Sequence, residues 1–279
     1  MNAVRTLQRR MRTAGKLFGQ FVSTCKSQGI AGGAKFAGGK VRALVKERAA
    51  GDRTPGAVIS AKFDEANGVD TTGLISMSAL SVDSPNFLYA TVYKASDPDR
   101  FAEAMRALPI RHQDYAFVDL GSGKGLALLL ASHFPFRKVV GVEFARELHQ
   151  VAESNIRKYH APARQCEDVS SVCGDAAEFE FPAGPLVIYF YHPFEEALMQ
   201  RVAQRINAVY ESNPRPIVVT YFQPVLRRLW ADLPCLTPML DAPSQPRGEH
   251  MVAGYSVFAT PEALQAGGWQ RNRVASSES

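Results

Sequence analysis

The chain has 279 residues, 46% hydrophobic and 21% charged, which excludes a disordered or fibrous chain and suits one large α/β domain with an extension. No run of 18 apolar residues and no apolar signal core occur, so neither a spanning helix nor a secretory leader is expected; the four cysteines form no C-x-x-C pair, which argues against a zinc or redox motif and for free thiols in a cytoplasmic setting. The net charge of +5 is uneven: eleven Lys/Arg against the single acid Glu47 give residues 1–50 a charge of +10, leaving −5 for the rest.

In that basic arm Val4, Leu7, Met11, Ala14, Phe18 and Phe21 recur at helical steps, with Arg5, Arg9, Arg12 and Lys16 elsewhere around the helix. Such a helix can pack on its own domain, lie on an anionic membrane, touch nucleic acid or serve as a transit peptide. The glycines of "GIAGGAKFAGGK" then mark a break. "DEANGVDTTG" (64–73) reads as loop and "FLYATVY" (87–93) as an extended piece. "SDPDRFAEAMRAL" reads as a helix capped by Ser96 or Asp97, with Pro98 in its first turn.

From Tyr115 the pattern alternates. Strands are expected at 115–120, 138–143, 170–173, 186–191 and 216–222, with helices at 124–133, 145–159, 195–210 and 224–232. Alternation of this kind implies right-handed βαβ units and a doubly wound parallel sheet. The last two strands, 235–240 and 254–260, have only a Pro/Gly/Ser loop between them and should pair antiparallel at the end of the sheet. The expected organisation is an arm over 1–50, a cap and helix over 51–112, a catalytic domain over 113–265 and a tail over 266–279.

The first strand runs into Asp119-Leu120-Gly121-Ser122-Gly123-Lys124-Gly125. A phosphate loop would need glycine where Val118 stands and a hydroxyl where Gly125 stands. A dinucleotide turn would need a third glycine where Leu126 stands. The acid followed by G-x-G-x-G resembles motif I of the class I S-adenosylmethionine-dependent methyltransferases. Glu143, at the end of the second strand, and "CGDA" with Asp175 and Ala176 are similar to that family's next motifs in order and spacing. The resemblance covers roughly 115–260. It is nearest to bacterial methyltransferases of unassigned substrate, and more distantly to non-SET protein-lysine methyltransferases.

The resemblance implies a seven-stranded sheet with a terminal antiparallel β-hairpin and S-adenosylmethionine as cofactor, with no metal. It implies that Asp119, Gly121, Ser122, Gly123 and Gly125 hold the methionine end, that Glu143 takes the ribose hydroxyls, and that Asp175 and Ala176 take the adenine. It also implies that a segment before the first strand covers the cofactor, for which Tyr93, with Tyr89 beside it, is the candidate and "GVDTTG" a substrate loop. Lys124 is expected to point to solvent. Amino-methylating relatives carry Asn or Asp before Pro-Pro-aromatic after the fourth strand; here the residues are Tyr191, His192, Pro193 and Phe194. His192 can orient or deprotonate the methyl acceptor, with Tyr191 and Phe194 beside it, or it can simply cap the strand. The acceptor is an unidentified protein or small molecule, with N or O favoured over C. A cofactor-binding sensor without transfer activity and a nicotinamide-dependent oxidoreductase are the alternative readings, and peripheral contact of the arm with a membrane or nucleic acid remains open.

Overall fold

The computed structural model describes residues 55–72, 96–247 and 250–269. The chain divides into two compact units, Met1–Gly51 and Asp52–Ser279, and every described residue belongs to the second. The basic helix of the arm, the extended piece 87–93 and both Tyr89 and Tyr93 lie outside the described residues.

Helix α1 (Pro55–Asn67) and helix α2 (Pro98–Ala107) precede the first strand. The expected capping of α2 is present: Asp97 accepts from the Arg100 N–H at 2.8 Å, and Pro98 occupies the first turn. The expected loop at 64–67 is instead the last turn of α1. The helix stops at Gly68, whose φ of 65° is the left-handed cap that ends a helix cheaply only in glycine. Its polar residues misled the reading because Asp64 is an inward-facing helical residue that binds the following loop.

The core elements are β1 (Ala116–Leu120), α3 (Leu126–Ala131), β2 (Lys138–Glu143), α4 (Arg146–Lys158), β3 (Val169–Cys173), β4 (Leu186–Tyr191), α5 (Glu196–Ser212), β5 (Ile217–Phe222), α6 (Arg227–Ala231), β6 (Thr237–Ala242), β7 (Gln245–Arg247), β8 (His250–Val252), β9 (Tyr255–Ala259) and α7 (Pro261–Ala266). Seven strands form one sheet in the order β3-β2-β1-β4-β5-β9-β6. β1 to β5 are parallel, and β9 runs antiparallel to both β5 and β6. The antiparallel strand therefore sits second from the edge, not at it, because β6 takes the outer place and β9 returns between β6 and β5. Within the expected Pro/Gly/Ser loop a small β7–β8 hairpin stands apart from the main sheet.

β1 and β5 are buried at every residue, as central strands covered on both faces must be. Alternate residues go to opposite faces. Phe117, Val139, Val187, Tyr189 and Val218 pack with Phe101 and Met105 of α2 and Leu128 of α3. Val118, Val140, Ile188, Val219 and Tyr221 pack with Leu198 and Val202 of α5 and Trp230 of α6. The sheet is thus doubly wound, which is the architecture implied by the resemblance. Strand order reverses between β1 and β4. In open α/β sheets the ligand crevice lies beyond the carboxyl ends of the strands at such a reversal. Those two ends carry the glycine turn and the Tyr191–Phe194 stretch.

Candidate active site

The turn after β1 is built from backbone. Gly121, Gly123 and Gly125 have φ of 84°, 53° and 84°, all left-handed. That strain on alternate residues is why the motif is written in glycine. It also explains why α3 begins at Leu126 and not at 124. Gly121 is needed for a second reason: a Cβ there would lie 2.5 Å from Cβ of Pro193. The turn and the loop after β4 therefore close on each other at this point. The N–H groups of Gly121 and Ser122 both donate to the Val142 carbonyl, at 2.9 and 3.1 Å, which ties the turn to β2.

Two acids stand behind the turn. Asp119 is 3% exposed, and burial, with the neighbouring Glu143 second, holds its carboxyl well above the usual range. Glu143, equally buried, accepts from the Gly123 N–H through Oε2 and from the Ala145 N–H through Oε1, both at 2.8 Å. Burial pushes it up to about 7, against the pull of these N–H donors. Glu143 is thus a strut for the turn as well as a candidate ribose acceptor.

Lys124 does not point to solvent. Its side chain is 1% exposed, and its Nζ donates to Asp70 Oδ1 and to the Thr72 carbonyl, each at 2.6 Å. Asn155 of α4 completes the junction. Its Nδ2 donates to the Lys124 and Asp70 carbonyls at 2.9 and 2.8 Å, and its Oδ1 accepts from the Asp70 N–H at 2.9 Å. Asp64 holds the same loop from the other side, accepting from the N–H and hydroxyl groups of Thr71 and Thr72. The described part of the expected substrate loop, 68–72, is therefore pinned to the glycine turn. Sequence reasoning gave no role to Asp64 or Asn155 and did not join Asp70, inside the expected substrate loop, to Lys124; the one available signal was a lysine placed among glycines and apolar residues.

Two hollows meet at Gly121. One is lined by Gly121, Val142, Asp175, Ala176 and Phe194 among others. The other is lined by Ser96, Asp119, Ser122, Leu126, Tyr189 and Tyr191 among others. The structure thus brings Asp119, Gly121, Ser122, Asp175, Ala176, Tyr191 and Phe194 to one crevice. Asp175 Oδ1 also accepts from the Ala177 N–H at 2.9 Å, which shapes the turn after β3. Ser96 and Tyr189, not foreseen as site residues, share a hydrogen bond of 2.7 Å at the edge of the second hollow. The Ser122 hydroxyl is buried with no hydrogen-bond partner among the described residues. Tyr191 stacks on Phe222, and burial, with Asp97 second, raises its phenol.

His192 follows β4 directly, with a φ of 38° that is uncommon outside glycine. Its Nδ1 lies 2.6 Å from the Tyr221 hydroxyl, and its ring stacks on that tyrosine. On the neighbouring strand end, Gln223 is also left-handed, with φ of 50°. Among the described residues no cluster of His, Cys, Asp and Glu could hold a metal, and no helix is long and apolar enough to cross a membrane. Cys166, Cys173 and Cys235 are free thiols.

No family model matches the chain, and no curated protein does. Solved structures superpose on part of it. A 23S rRNA methyltransferase, ErmE, is 13% identical at a TM-score of 0.42, over 58% of this chain and 67% of that one. An RNA methyltransferase from Salinibacter ruber, in complex with S-adenosyl-L-homocysteine, is 20% identical at 0.39, over 59% of this chain and 90% of that one. A precorrin-6y C5,15-methyltransferase from Geobacter metallireducens is 13% identical at 0.43, over 65% of this chain and 93% of that one. Likenesses this loose carry no assignment; the fold rests on the strand order, and the site on its own residues.

Proposed function

We propose that the protein is an S-adenosylmethionine-dependent methyltransferase. The observation that carries this reading is the acidic lining of the crevice. Its lining holds the acids Asp119 and Asp175, with Glu143 buried behind the turn, and no basic side chain among the described residues. Lys124, the cation nearest in sequence, is turned inward onto Asp70. A pyrophosphate would add negative charge beside two buried acids, with no lysine or arginine among the described lining residues to bind it. A nucleoside bearing an ammonium and a sulfonium fits the same surface.

In this reading the Asp119 carboxylate and the orphaned Ser122 hydroxyl receive the amino-acid end. Glu143 keeps lone pairs for the ribose hydroxyls, and Asp175 with the Ala176 N–H receives the adenine. The cofactor supplies a methyl carbon on a positive sulfur, already activated, so the protein's part is positioning and a dry pocket. Tyr191, His192 and Phe194 then face the acceptor. Tyr93 would contribute from the segment before α2. Residues 1–50, with their +10 charge, would add contact with an anionic surface.

Calorimetry of the full chain against S-adenosylmethionine, S-adenosylhomocysteine and NAD tests the reading. Binding of the first two and not the third is expected; binding of NAD alone overturns it. A protein that binds both sulfur nucleosides yet transfers no tritiated methyl group to any lysate fraction would be a sensor.

A further inference from the structure

Asp119 and Glu143 stand on one face of the sheet. β1 and β2 run parallel with Asp119 beside Gly141, and Glu143 comes two residues later, so both carboxyls point to the same side. Ser122 lies over that glycine: a Cβ on Gly141 would meet the Ser122 Oγ at 2.6 Å. Two acids and one hydroxyl thus gather at Gly141, and all three are buried.

The surroundings offer little to hold two negative charges. Glu143 has the Gly123 and Ala145 N–H groups, whereas what bears on Asp119 is burial and Glu143 itself. From β4 come the phenols of Tyr189 and Tyr191, and from α3 only the apolar Leu126 and Ala127. Ahead of α2 stands a third acid, Asp97, paired with Arg247. Lys124 in the turn faces Asp70. After β3 a fourth acid, Asp175, lines the other hollow. Arg146 and Glu147 open α4 with opposite charges, and His149 of that helix bonds to Ser171 on β3. Among the described residues no cation bears on either carboxyl. Two carboxylates side by side out of water, with no cation between them, do not both ionise at neutral pH; they titrate as a unit.

We propose that the ligand-free protein keeps one proton shared by Asp119 and Glu143, and that binding of the sulfur nucleoside expels it. This rests on the methyltransferase reading, whose ligand supplies what the pair lacks. Its ammonium beside Asp119 is the missing cation, and its ribose hydroxyls donate to Glu143. Each favours the ionised carboxyl. The shared proton passes to solvent, and the bound state holds two carboxylates against the positive donor. The complex carries fewer protons than the free protein, so affinity rises with pH up to neutrality. S-adenosylhomocysteine has the same ammonium and ribose, so the product shares this dependence.

Titration calorimetry of the full chain with S-adenosylhomocysteine, in buffers of differing ionisation enthalpy, counts the proton. The ligand's own ammonium titrates at about 8, so at about pH 6.5 it stays charged and does not enter the count. Release of roughly half to one proton is expected, with affinity falling about 3- to 10-fold per pH unit below that point. In infrared difference spectra the carbonyl band of a protonated carboxylic acid should disappear as ligand is added. Binding without proton release, or without loss of that band, overturns the proposal and leaves the methyltransferase standing. Release that is unaltered in both Asp119→Asn and Glu143→Gln also overturns it, because the proton then belongs elsewhere. Should these variants fail to fold or bind, the wild-type calorimetry and infrared spectra decide. Failure of the wild type to bind either sulfur nucleoside overturns the methyltransferase reading, and this proposal with it.

Discussion

The two halves of the crevice are strained in different ways. After β1, three left-handed positions fall on glycines, where the conformation costs little. After β4 and β5, left-handed positions fall on His192 and Gln223, where it costs of order 1 kcal/mol each. The first half is braced from all sides, by Val142, Glu143, Asn155 and, through Lys124, the 68–72 loop. The second half keeps side chains at positions where glycine would be more comfortable. Where only backbone is wanted, strain is removed by the choice of residue. Where a side chain is wanted, strain is tolerated and marks the place.

The sharpest way to break this contrast is to put a side chain on the braced half. Gly121→Ala sets a Cβ 2.5 Å from Pro193 at a φ of 84°. A loss of at least about 100-fold in S-adenosylmethionine affinity is expected by calorimetry, with about 2–3 kcal/mol of stability lost in urea melts. Next comes the strut. Glu143 is raised in the folded protein from 4.5 to about 7. A carboxyl raised on folding contributes stability that is full below the unfolded value and lost as pH rises through the folded one. Ligand-free wild type should therefore lose a few kcal/mol relative to Glu143→Gln as pH climbs from about 4.5 to 7. Paired melts across that window check it; parallel curves would mean that Glu143 does not titrate there.

A smaller effect is expected at the latch. Lys124→Met leaves Asp70, which is half exposed and can hydrate, so the cost should be about 1–3 kcal/mol, well below that of stranding a fully buried charge. Cofactor affinity should fall with it, because the loop and the turn share that junction. The smallest effect is on the strained half. Gln223→Gly should stabilise by no more than about 1 kcal/mol, since relief of the left-handed backbone is offset by glycine's greater unfolded freedom. A destabilised Gln223→Gly would show that the side chain, not the backbone, holds that corner.

The fold was largely legible because its signals are local. Apolar runs such as "LVIYFY" and the strand–helix alternation give the parallel sheet directly, and the lack of a crossover helix gives the antiparallel strand. The place of β9 inside β6 was not legible, because strand order depends on how a loop folds back and not on any run of residues. The glycine turn was readable since its backbone strain dictates residue type. The inward Lys124, the Asp64 latch and the Tyr221–His192 pair were not. Lys124 and Asp70, or His192 and Tyr221, are far apart in the chain, Asp64 reaches Thr71 and Thr72 only because the end of a helix turns it inward, and the types are unremarkable alone. Tyr93 and the arm lie outside the described residues, so the expectations placed on them stand as proposals.

The contact between Gly121 and Pro193 has a bearing on redesign. The proline ring occupies the volume that a side chain at 121 would need, so position 121 cannot be varied while Pro193 stays. Libraries aimed at new acceptors should leave 193 as it is and diversify 192 and 194. In the methyltransferase reading, a change at 193 would shift the donor nucleoside along with the acceptor and confuse a search for specificity with a loss of grip.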